Sequence, residues 1–190
     1  MAPDGLVTYT YDQGSNAKGK LTQVTDPSGS QTLEYDNLGR LELETRTINN
    51  ISFQIMYGYN KNNELETMTY PSGRVVTYQK NIAGQISGMS TTYEANTVNL
   101  LQNMTRLPFG PVNGLTLGNG LNQVMTYDQL YRLTGSQTGS IYNRTYVYNA
   151  NSNITNIQDL VTPAKNQTFV YDDLNRLTNA TGNYGTIAYT

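Results

Sequence analysis

Aromatic and large apolar residues recur two positions apart in short segments along the chain. Clear examples lie at 8–11, 55–59, 145–148 and 168–171. A period of two places these side chains on one face of a pleated strand, and Tyr, Thr, Val, Ile and Phe are the residue types that suit a half-buried strand. The pattern predicts short β-strands along the whole chain and indicates no helix.

A seven-residue signature follows many of these strands. Its clearest copies, at 35–41, 127–133 and 171–177, begin with Tyr-Asp and end with Arg-Leu, and weaker copies lie at 59–65 and 148–154. An Asp or Asn side chain can bond the backbone two residues further on and so open a turn. A Gly or Asn three residues after it tolerates a positive φ. Each signature therefore predicts a β-hairpin loop, and its final Leu or Ile starts the returning strand.

The signature residues are predicted to have structural roles. Turn opening is favoured over catalysis for each Asp. Each Arg is expected to lie over a neighbouring tyrosine ring or to pair with a turn Asp, in preference to clamping an anion. One copy breaks the rule, because bulky Tyr131 stands where a positive φ is expected. The predicted signature residues are Tyr35, Asp36, Gly39, Arg40, Leu41, Tyr127, Asp128, Arg132, Leu133, Tyr171, Asp172, Arg176 and Leu177.

A second series of turns, at 26–29, 70–73 and 108–111, lies between the signatures. In these turns Pro presets φ and Gly supplies the reverse-handed closing residue. Two turns in each period of about 23 residues leave strands of roughly 6–9 residues, and a fixed period in this range indicates a repeat architecture. We therefore predict one continuous β array over residues 1–190.

Two stretches depart from the regular pattern. The first hairpin has an enlarged loop, in which Gly19-Lys20-Leu21 stands where later copies have Gly-Arg-Leu. The pattern is weakest at 88–106, although 91–96 is still predicted to form a strand and a turn.

The composition limits the classes of function that the chain can have. The 16 Tyr, against 3 Phe and no Trp, indicate a face that is only partly dry, because a buried tyrosine hydroxyl needs a partner. A net charge of −2 with no basic stripe argues against binding to nucleic acid, and no segment is apolar enough for membrane insertion.

Without Cys or His, no disulfide and no thiolate or imidazole metal site can form. Residues 1–5 lack the features of a signal peptide, and the sequence alone leaves the localisation unknown.

The signature and the Pro-x-Gly turns resemble the Rhs, or YD-repeat, family. The likeness is strongest at 107–121 and 171–185, which are similar to segments of the bacterial Rhs core. The resemblance implies an all-β repeat array of antiparallel hairpins in a twisted, curved sheet, an open segment of an Rhs shell. Related shells occur in the C component of Tc toxins and in teneurins. It also implies that the chain is a fragment of a longer secreted or cell-surface bacterial protein, whose partners are its remaining repeats and a C-terminal toxin cargo.

These expectations define two functions. The first is a non-catalytic segment of a shell that encapsulates or helps deliver a polypeptide toxin. The alternative is an extracellular binding module whose tyrosine-rich face takes glycans or partner proteins. No catalytic residue, cofactor or metal site is predicted, because Asp172, Asp173 and Asn175 supply oxygen atoms without a complete calcium loop. Unpaired edge strands predict self-association.

Overall fold

The structure, a computed structural model, describes residues 5–108 and 110–189. The chain divides into two compact units, Met1–Val98 and Asn99–Thr190. Three details of the sequence predictions lie outside the described residues. They are residues 1–4 of the segment that was compared with a signal peptide, Phe109 in the predicted turn at 108–111, and Thr190. The prediction of one continuous array remains a prediction.

The first unit contains eight antiparallel strands and the start of a ninth. They are β1 Thr8–Tyr11, β2 Leu21–Asp26, β3 Gly29–Tyr35, β4 Leu41–Ile48, β5 Ile51–Tyr59, β6 Leu65–Thr69, β7 Val75–Lys80, β8 Ile86–Tyr93 and β9 Asn96–Arg106, which continues into the second unit.

The second unit contains the rest of β9, eight further strands and one short 3₁₀ helix. They are β10 Val112–Leu117, β11 Asn122–Tyr127, β12 Leu133–Thr138, β13 Tyr142–Tyr148, β14 Ile154–Asp159, the 3₁₀ helix Pro163–Lys165, β15 Gln167–Tyr171, β16 Leu177–Gly182 and β17 Gly185–Ala188.

Within each unit, strands pair in the order in which they occur in the sequence. Each described strand packs against the strand before it and the strand after it, in antiparallel register. The predicted fold class, an all-β array of antiparallel hairpins in an open sheet, is confirmed. Because contacts are made mainly between neighbours, stability should be close to additive along each unit.

The sheet of each unit has little interior of its own. Among the described residues, the buried apolar side chains are Ala17, Val76 and Ala180, and no large side chain is fully buried. Exposed apolar residues include Phe53 at 44% and Val170 at 54%. That the tyrosine-rich face is only partly dry stays a prediction.

The weakest part of the pattern, 88–106, forms two complete strands, β8 and β9. A two-residue turn joins them, in which Glu94 and Ala95 have φ of 48° and 64°. Asn49 and Asn50, with φ of 49° and 63°, make the same kind of turn between β4 and β5. Positive φ at both central positions is typical of the type I′ turn, whose twist matches that of the flanking strands. The predicted strand and turn at 91–96 are thus present.

One assignment in the second turn series was wrong. Residues 107–111 join β9 to β10, and this connection lies at the same edge of the second unit as its signature loops. The error arose because Leu107 replaces the Asp or Asn by which a signature was recognised. Asp26–Gly29 and 70–74 do lie at the opposite edge, as predicted.

Candidate functional site

The signature loops share one backbone geometry. In loop 36–40, the Asp36 N–H donates to the carbonyl of Arg40 (2.9 Å), and the Gly39 N–H donates to the carbonyl of Asp36 (2.9 Å). The same two bonds occur in eight further five-residue loops. These are 60–64, 70–74, 81–85, 107–111, 117–121, 128–132, 149–153 and 172–176.

The Asp side chain of each clear signature opens the turn. Asp36 Oδ1 accepts from the backbone N–H of Leu38 (2.9 Å) and of Arg40 (2.8 Å). Its Oδ2 accepts from Arg40 Nε (2.6 Å), so the carboxylate binds both the backbone and the guanidinium. Burial alone would raise the pKa of Asp36, but the hydrogen bonds from Arg40 and Leu38 outweigh it and hold that pKa below 3.8. Asp128 with Arg132, and Asp172 with Arg176, repeat this arrangement.

Two of these arginines, Arg40 and Arg132, also reach the next hairpin along the chain. The guanidinium of Arg40 lies over the Tyr59 ring, 4.5 Å from its centroid, and Arg132 lies over Tyr148 at 4.8 Å. Arg40 Nη1 donates to Asn63 Oδ1 in the next loop (2.8 Å). A cation above an aromatic face is attracted by the ring quadrupole, so the loops are linked through side chains as well as through the sheet.

The tyrosine hydroxyls also connect neighbouring hairpins, through hydrogen bonds to backbone carbonyls. Tyr59 donates to the carbonyl of Leu41 (2.8 Å), and Tyr148 donates to the carbonyl of Leu133 (2.8 Å). In both cases the acceptor belongs to the first residue of the preceding returning strand. The remaining pairs of this kind are Tyr35 to Leu21, Tyr127 to Val112 and Tyr171 to Ile154.

We expect Tyr59→Phe to destabilise the first unit by about 1 kcal/mol, because it leaves the half-buried Leu41 carbonyl without its hydroxyl donor. The midpoint and slope of urea unfolding measure this change. Tyr9→Phe is the matched control, since Tyr9 is 58% exposed. An equal effect of the two substitutions would contradict the proposed role of the Tyr59 hydroxyl.

The other predicted signature residues lie where their positions in the loop require. Gly39 has a φ of 74°. Leu41, Leu133 and Leu177 begin β4, β12 and β16. Arg176 differs from its counterparts, because its side chain is 74% exposed. The importance of these residues for stability stays a prediction.

Two copies of the signature contain an unusual residue, and nearby contacts accommodate each of them. Tyr131 has the expected φ of 60°, and its hydroxyl donates to the carbonyl of Pro108 in the preceding loop (2.9 Å). Its ring lies where a side chain at Gly110 would stand. In the enlarged first loop, Lys20 Nζ lies 5.0 Å from the centroid of the Tyr35 ring, so Lys20 takes the place of the signature arginine as the sequence suggests.

In a third irregular copy of the signature, other residue types replace both the arginine and the tyrosine that it would contact. Glu64 occupies the position of the arginine, and Lys80 occupies that of the following tyrosine. The two form an ion pair (3.4 Å), while Asn60 Nδ2 donates to Glu64 Oε2 (2.9 Å) where a regular copy would have an Asp facing an Arg. The link between the two loops is therefore kept with different chemistry.

We expect Glu64→Arg to destabilise the first unit, because the new cation would face Lys80. Adding Lys80→Tyr should recover stability, since it restores the Arg-over-Tyr pair of the regular copies. A double-mutant cycle in urea unfolding measures this coupling. Glu66→Arg makes the same charge change at an exposed position of β6. Additive effects of the Glu64 and Lys80 substitutions would contradict the link.

The carboxylates that open the clear signature loops are all engaged within the loops. The carboxylates of Asp36, Asp128 and Asp172 are engaged by backbone N–H groups and arginines. Within residues 5–108 and 110–189, no group of three Asp, Glu, His or Cys side chains could hold a metal ion. The geometry of the loops supports specific contacts between one hairpin and the next.

Comparison with known proteins identifies the repeat. Residues 16–49, which include the first clear signature loop, match the model of the family described as the RHS Repeat. This segment of the chain is therefore similar to an RHS repeat. Among curated proteins no relative matches its sequence.

Several solved structures share the fold of the chain. The crystal structure of TcdB2-TccC3 matches with a TM-score of 0.84 and 17% identity, over 93% of this chain and 11% of that one. TcdB2-TccC3 without its hypervariable C-terminal region matches with a TM-score of 0.76 and 16% identity, over 93% and 12%. A mutant Tc holotoxin pore from Photorhabdus luminescens matches with a TM-score of 0.77 and 19% identity, over 86% and 9%. The chain thus spans about a tenth of these chains and shares their fold over that length.

Two polar clusters of the RHS repeats were not predicted from the sequence. On β4 and β5, the Tyr57 hydroxyl donates to Glu44 Oε2 (3.0 Å). On β13, the hydroxyls of Tyr142 and Tyr146 lie 3.1 Å apart. Burial, together with these partners, raises the pKa of Tyr57 and of Tyr146 to about 12. The register of β4 and β5 brings Glu44 and Tyr57 together, whereas Tyr142 and Tyr146 lie on the same strand, and the signature reveals neither pair.

We expect two tyrosines to titrate near pH 12 in the folded protein. A pKa raised above the unfolded value of 10.0 favours the neutral phenol in the folded state. The resulting stability is complete below pH 10 and is lost as the pH rises through about 12. The ultraviolet absorbance of tyrosinate measures the titration, and Tyr57→Phe should remove one of the late-titrating groups. Retention of both groups in that variant would contradict the assignment.

Within the described ranges, no helix has the length and apolar character needed to cross a membrane.

Proposed function

We propose that this RHS-repeat chain is a stretch of wall in a larger secreted or cell-surface shell that encloses a polypeptide cargo. The wall would act by separating the cargo from solvent and from other proteins, without chemistry of its own.

The observation that carries this proposal is the lack of an interior in either unit. A domain that works alone buries one face of its sheet against another layer. Here the described strands contact their neighbours in sequence, and the small residues Ala17, Val76 and Ala180 are the apolar side chains that are buried. A single layer held by neighbour contacts suits a wall that continues through further repeats.

The structural neighbours support the same function. One of them is a structure of TcdB2-TccC3 without its hypervariable C-terminal region, and another is a Tc holotoxin pore. A fixed shell fold joined to a variable C-terminal region is the arrangement expected of a container whose contents differ between proteins. The cargo proposed for this chain is therefore a C-terminal segment of its parent polypeptide.

The tyrosine face gives less support to the alternative, a glycan-binding module. Signature hydroxyls such as those of Tyr59, Tyr148 and Tyr171 donate to backbone carbonyls within the sheet. Their faces or edges are also covered in part by neighbouring side chains, as Arg40 covers Tyr59. Rings held in this way serve the packing of the sheet.

Sequencing the native transcript around the segment that encodes this chain tests the proposal. The expected result is a reading frame with many further RHS repeats that ends in an unrelated C-terminal domain. Limited proteolysis of the native protein should then leave that domain intact until the repeats are cut. A complete product that contains only these repeats could not enclose a cargo, and a C-terminal domain cleaved as fast as an isolated one would also overturn the proposal.

A further inference from the structure

Loop 60–64 and the hairpin after it differ from the regular copies at three positions. Asn60 replaces the turn-opening Asp, Glu64 replaces the Arg, and Lys80 of the next hairpin replaces the Tyr. A primary amine is a nucleophile that can attack an amide carbon when a carboxylate handles the protons. A regular copy has no primary amine at this place, so the three replacements together introduce a chemistry that the regular signature lacks.

The strand register brings these three side chains into one row. Asn60 follows β5 and Glu64 precedes β6, and the Asn60 N–H donates to the Glu64 carbonyl across the loop (3.0 Å). Thr67 of β6 pairs with Thr77 of β7. Continuing this antiparallel register by three residues on each strand places Lys80 opposite Glu64. Glu64 therefore stands between the amide of Asn60 and the amine of Lys80.

One oxygen atom of Glu64 contacts both reacting groups. Its Oε2 accepts from Asn60 Nδ2 (2.9 Å) and lies 3.4 Å from Lys80 Nζ. Because both nitrogen atoms approach the same oxygen, a proton that leaves Nζ can pass through this carboxylate to Nδ2. The hydrogen bond from Asn60 contributes most to lowering the pKa of Glu64, against the effect of burial, and Lys80 lowers it further. Glu64 is therefore ionised at neutral pH, as a proton acceptor must be.

The backbone of the loop polarises the amide group of Asn60. Asn60 Oδ1 accepts from the backbone N–H of Asn62 (2.9 Å) and of Glu64 (3.1 Å). When an amine adds to Cγ, negative charge develops on this oxygen, and two fixed backbone donors stabilise it as an oxyanion hole does. The hydrogen bonds that open the turn therefore also prepare Cγ for attack.

The neighbouring hairpin holds the amine and the carboxylate in place. The Lys80 side chain is 19% exposed and that of Glu64 is 27% exposed, although lysine is seldom buried in proteins. Glu64 Oε1 lies so close to Gly84 in the next loop that a side chain at that position would displace it. Groups held side by side in this way react at a high effective concentration, so an uncatalysed reaction partner in solution cannot compete with Lys80.

We propose that Lys80 Nζ and Asn60 Cγ form an intramolecular amide bond, with Glu64 as the proton carrier. Glu64 takes a proton from the Lys80 ammonium, and the neutral amine adds to Cγ. Glu64 then gives this proton to Nδ2, the bond between Cγ and Nδ2 breaks, and the departing ammonia takes up a second proton from Nζ. An ammonium and a carboxamide thus become one amide and one ammonium ion, without oxidation or reduction.

The amide bond would join consecutive hairpins of the first unit covalently. Asn60 follows β5 and Lys80 ends β7, so the bond closes a loop of about 20 residues and stabilises the folded state by restricting the unfolded chain. The reaction occurs once in each molecule, so a slow step is sufficient. It acts on the chain itself, and the inference holds whether or not the chain encloses a cargo.

Mass spectrometry of the folded 190-residue chain tests the proposal. The expected mass is about 17 Da below that of the sequence, because one ammonia is lost. Trypsin should not cut after Lys80, and residues 47–61 should be recovered joined to residues 75–106. A succinimide at an Asn-Gly sequence would cause the same loss of mass, but it would leave the cleavage after Lys80 intact and so count against the proposal.

Substitutions separate the roles of the amine and the carboxylate. Lys80→Arg keeps a cation beside Glu64, and Glu64→Gln keeps the shape of the side chain without its capacity to accept a proton, so both variants should have their full sequence mass. Lys61→Arg, at an exposed position next to Asn60, is the matched control and should lose ammonia as the unaltered chain does. Circular dichroism checks that each protein is folded.

The mass of the unaltered chain decides the proposal whether or not the variants fold. A full sequence mass of the folded chain after prolonged incubation at mildly alkaline pH would overturn it. An equal loss of ammonia in folded Lys80→Arg would also overturn it, because arginine lacks the amine, and a cross-link in folded Glu64→Gln would overturn the role of the carboxylate.

Discussion

Gly29→Ala is expected to unfold much of the first unit. Gly29 has a φ of 151°, where residues with a side chain are rarely found, and it pairs with Ile48 at the end of the hairpin of β3 and β4. A Cβ at this position would overlap the carbonyl oxygen of Thr47, which is backbone and cannot rotate away. We expect a loss of about 3–5 kcal/mol, since the clash and the strained φ act together.

Gly73→Ala provides the matched control. Gly73 also has a positive φ, 79°, but the space around its Cβ position is open to 4 Å. The substitution should cost about 1 kcal/mol, the strain of a left-handed conformation alone. Urea unfolding gives the free energies, and hydrogen exchange should locate the loss in strands β2 to β5, because coupling passes mainly between neighbours. Similar costs at the two glycines would show that the Thr47 contact is unimportant.

The hairpin loops were predictable because their information is local. Asp36, Gly39 and Leu41 each act within five residues of one another, so a single copy of the signature describes the turn, its closing residue and the returning strand. Repetition then confirms the pattern, as a period in this range indicates stacked units.

Two loops that the sequence marks only weakly lack one of the residues that identify the others. Glu94 and Ala95 adopt positive φ without being typical turn formers, because the antiparallel strands on either side impose the type I′ geometry. Leu107 opens a loop of the signature kind with backbone bonds alone. In both cases strand pairing outweighs the preferences of the loop residues.

The sequence predicted the type of contact between neighbouring repeats but not which residues form it. The sequence indicates that arginines would lie over tyrosines, but which pairs meet depends on the register of the intervening strands. Arg40 meets Tyr59 across a complete returning strand, and Glu64 meets Lys80 in the same way. The recurring register turns a local signature into a specific contact between neighbours, so the order of the repeats is encoded at the loops more than in a buried core.

Asp159 is the strongest case of a structural residue that the signature does not mark. It ends β14, its side chain is 7% exposed, and its Oδ1 accepts from the backbone N–H groups of Val161 (3.1 Å) and Thr162 (2.8 Å). Its Oδ2 accepts from Arg144 Nε (3.1 Å). The bond from the Thr162 N–H contributes most to lowering the pKa of Asp159, against the effect of burial, with further contributions from Arg144 and Val161.

Asp159→Ala is therefore expected to lower the thermal unfolding midpoint of the second unit by about 5 °C or more, since it leaves three donors without their acceptor. Asp159→Asn should have a smaller effect, because an amide oxygen can still accept from the loop backbone although the charge facing Arg144 is lost. Asp173→Ala, at an exposed position next to a signature Asp, is the control and should leave the midpoint nearly unchanged. Differential scanning calorimetry measures all three. If the Ala variant at 159 melted like the control, the irregular connection from β14 to β15 would be held by its 3₁₀ helix and by the Asn166 side chain, which accepts from the Asp159 N–H (2.8 Å).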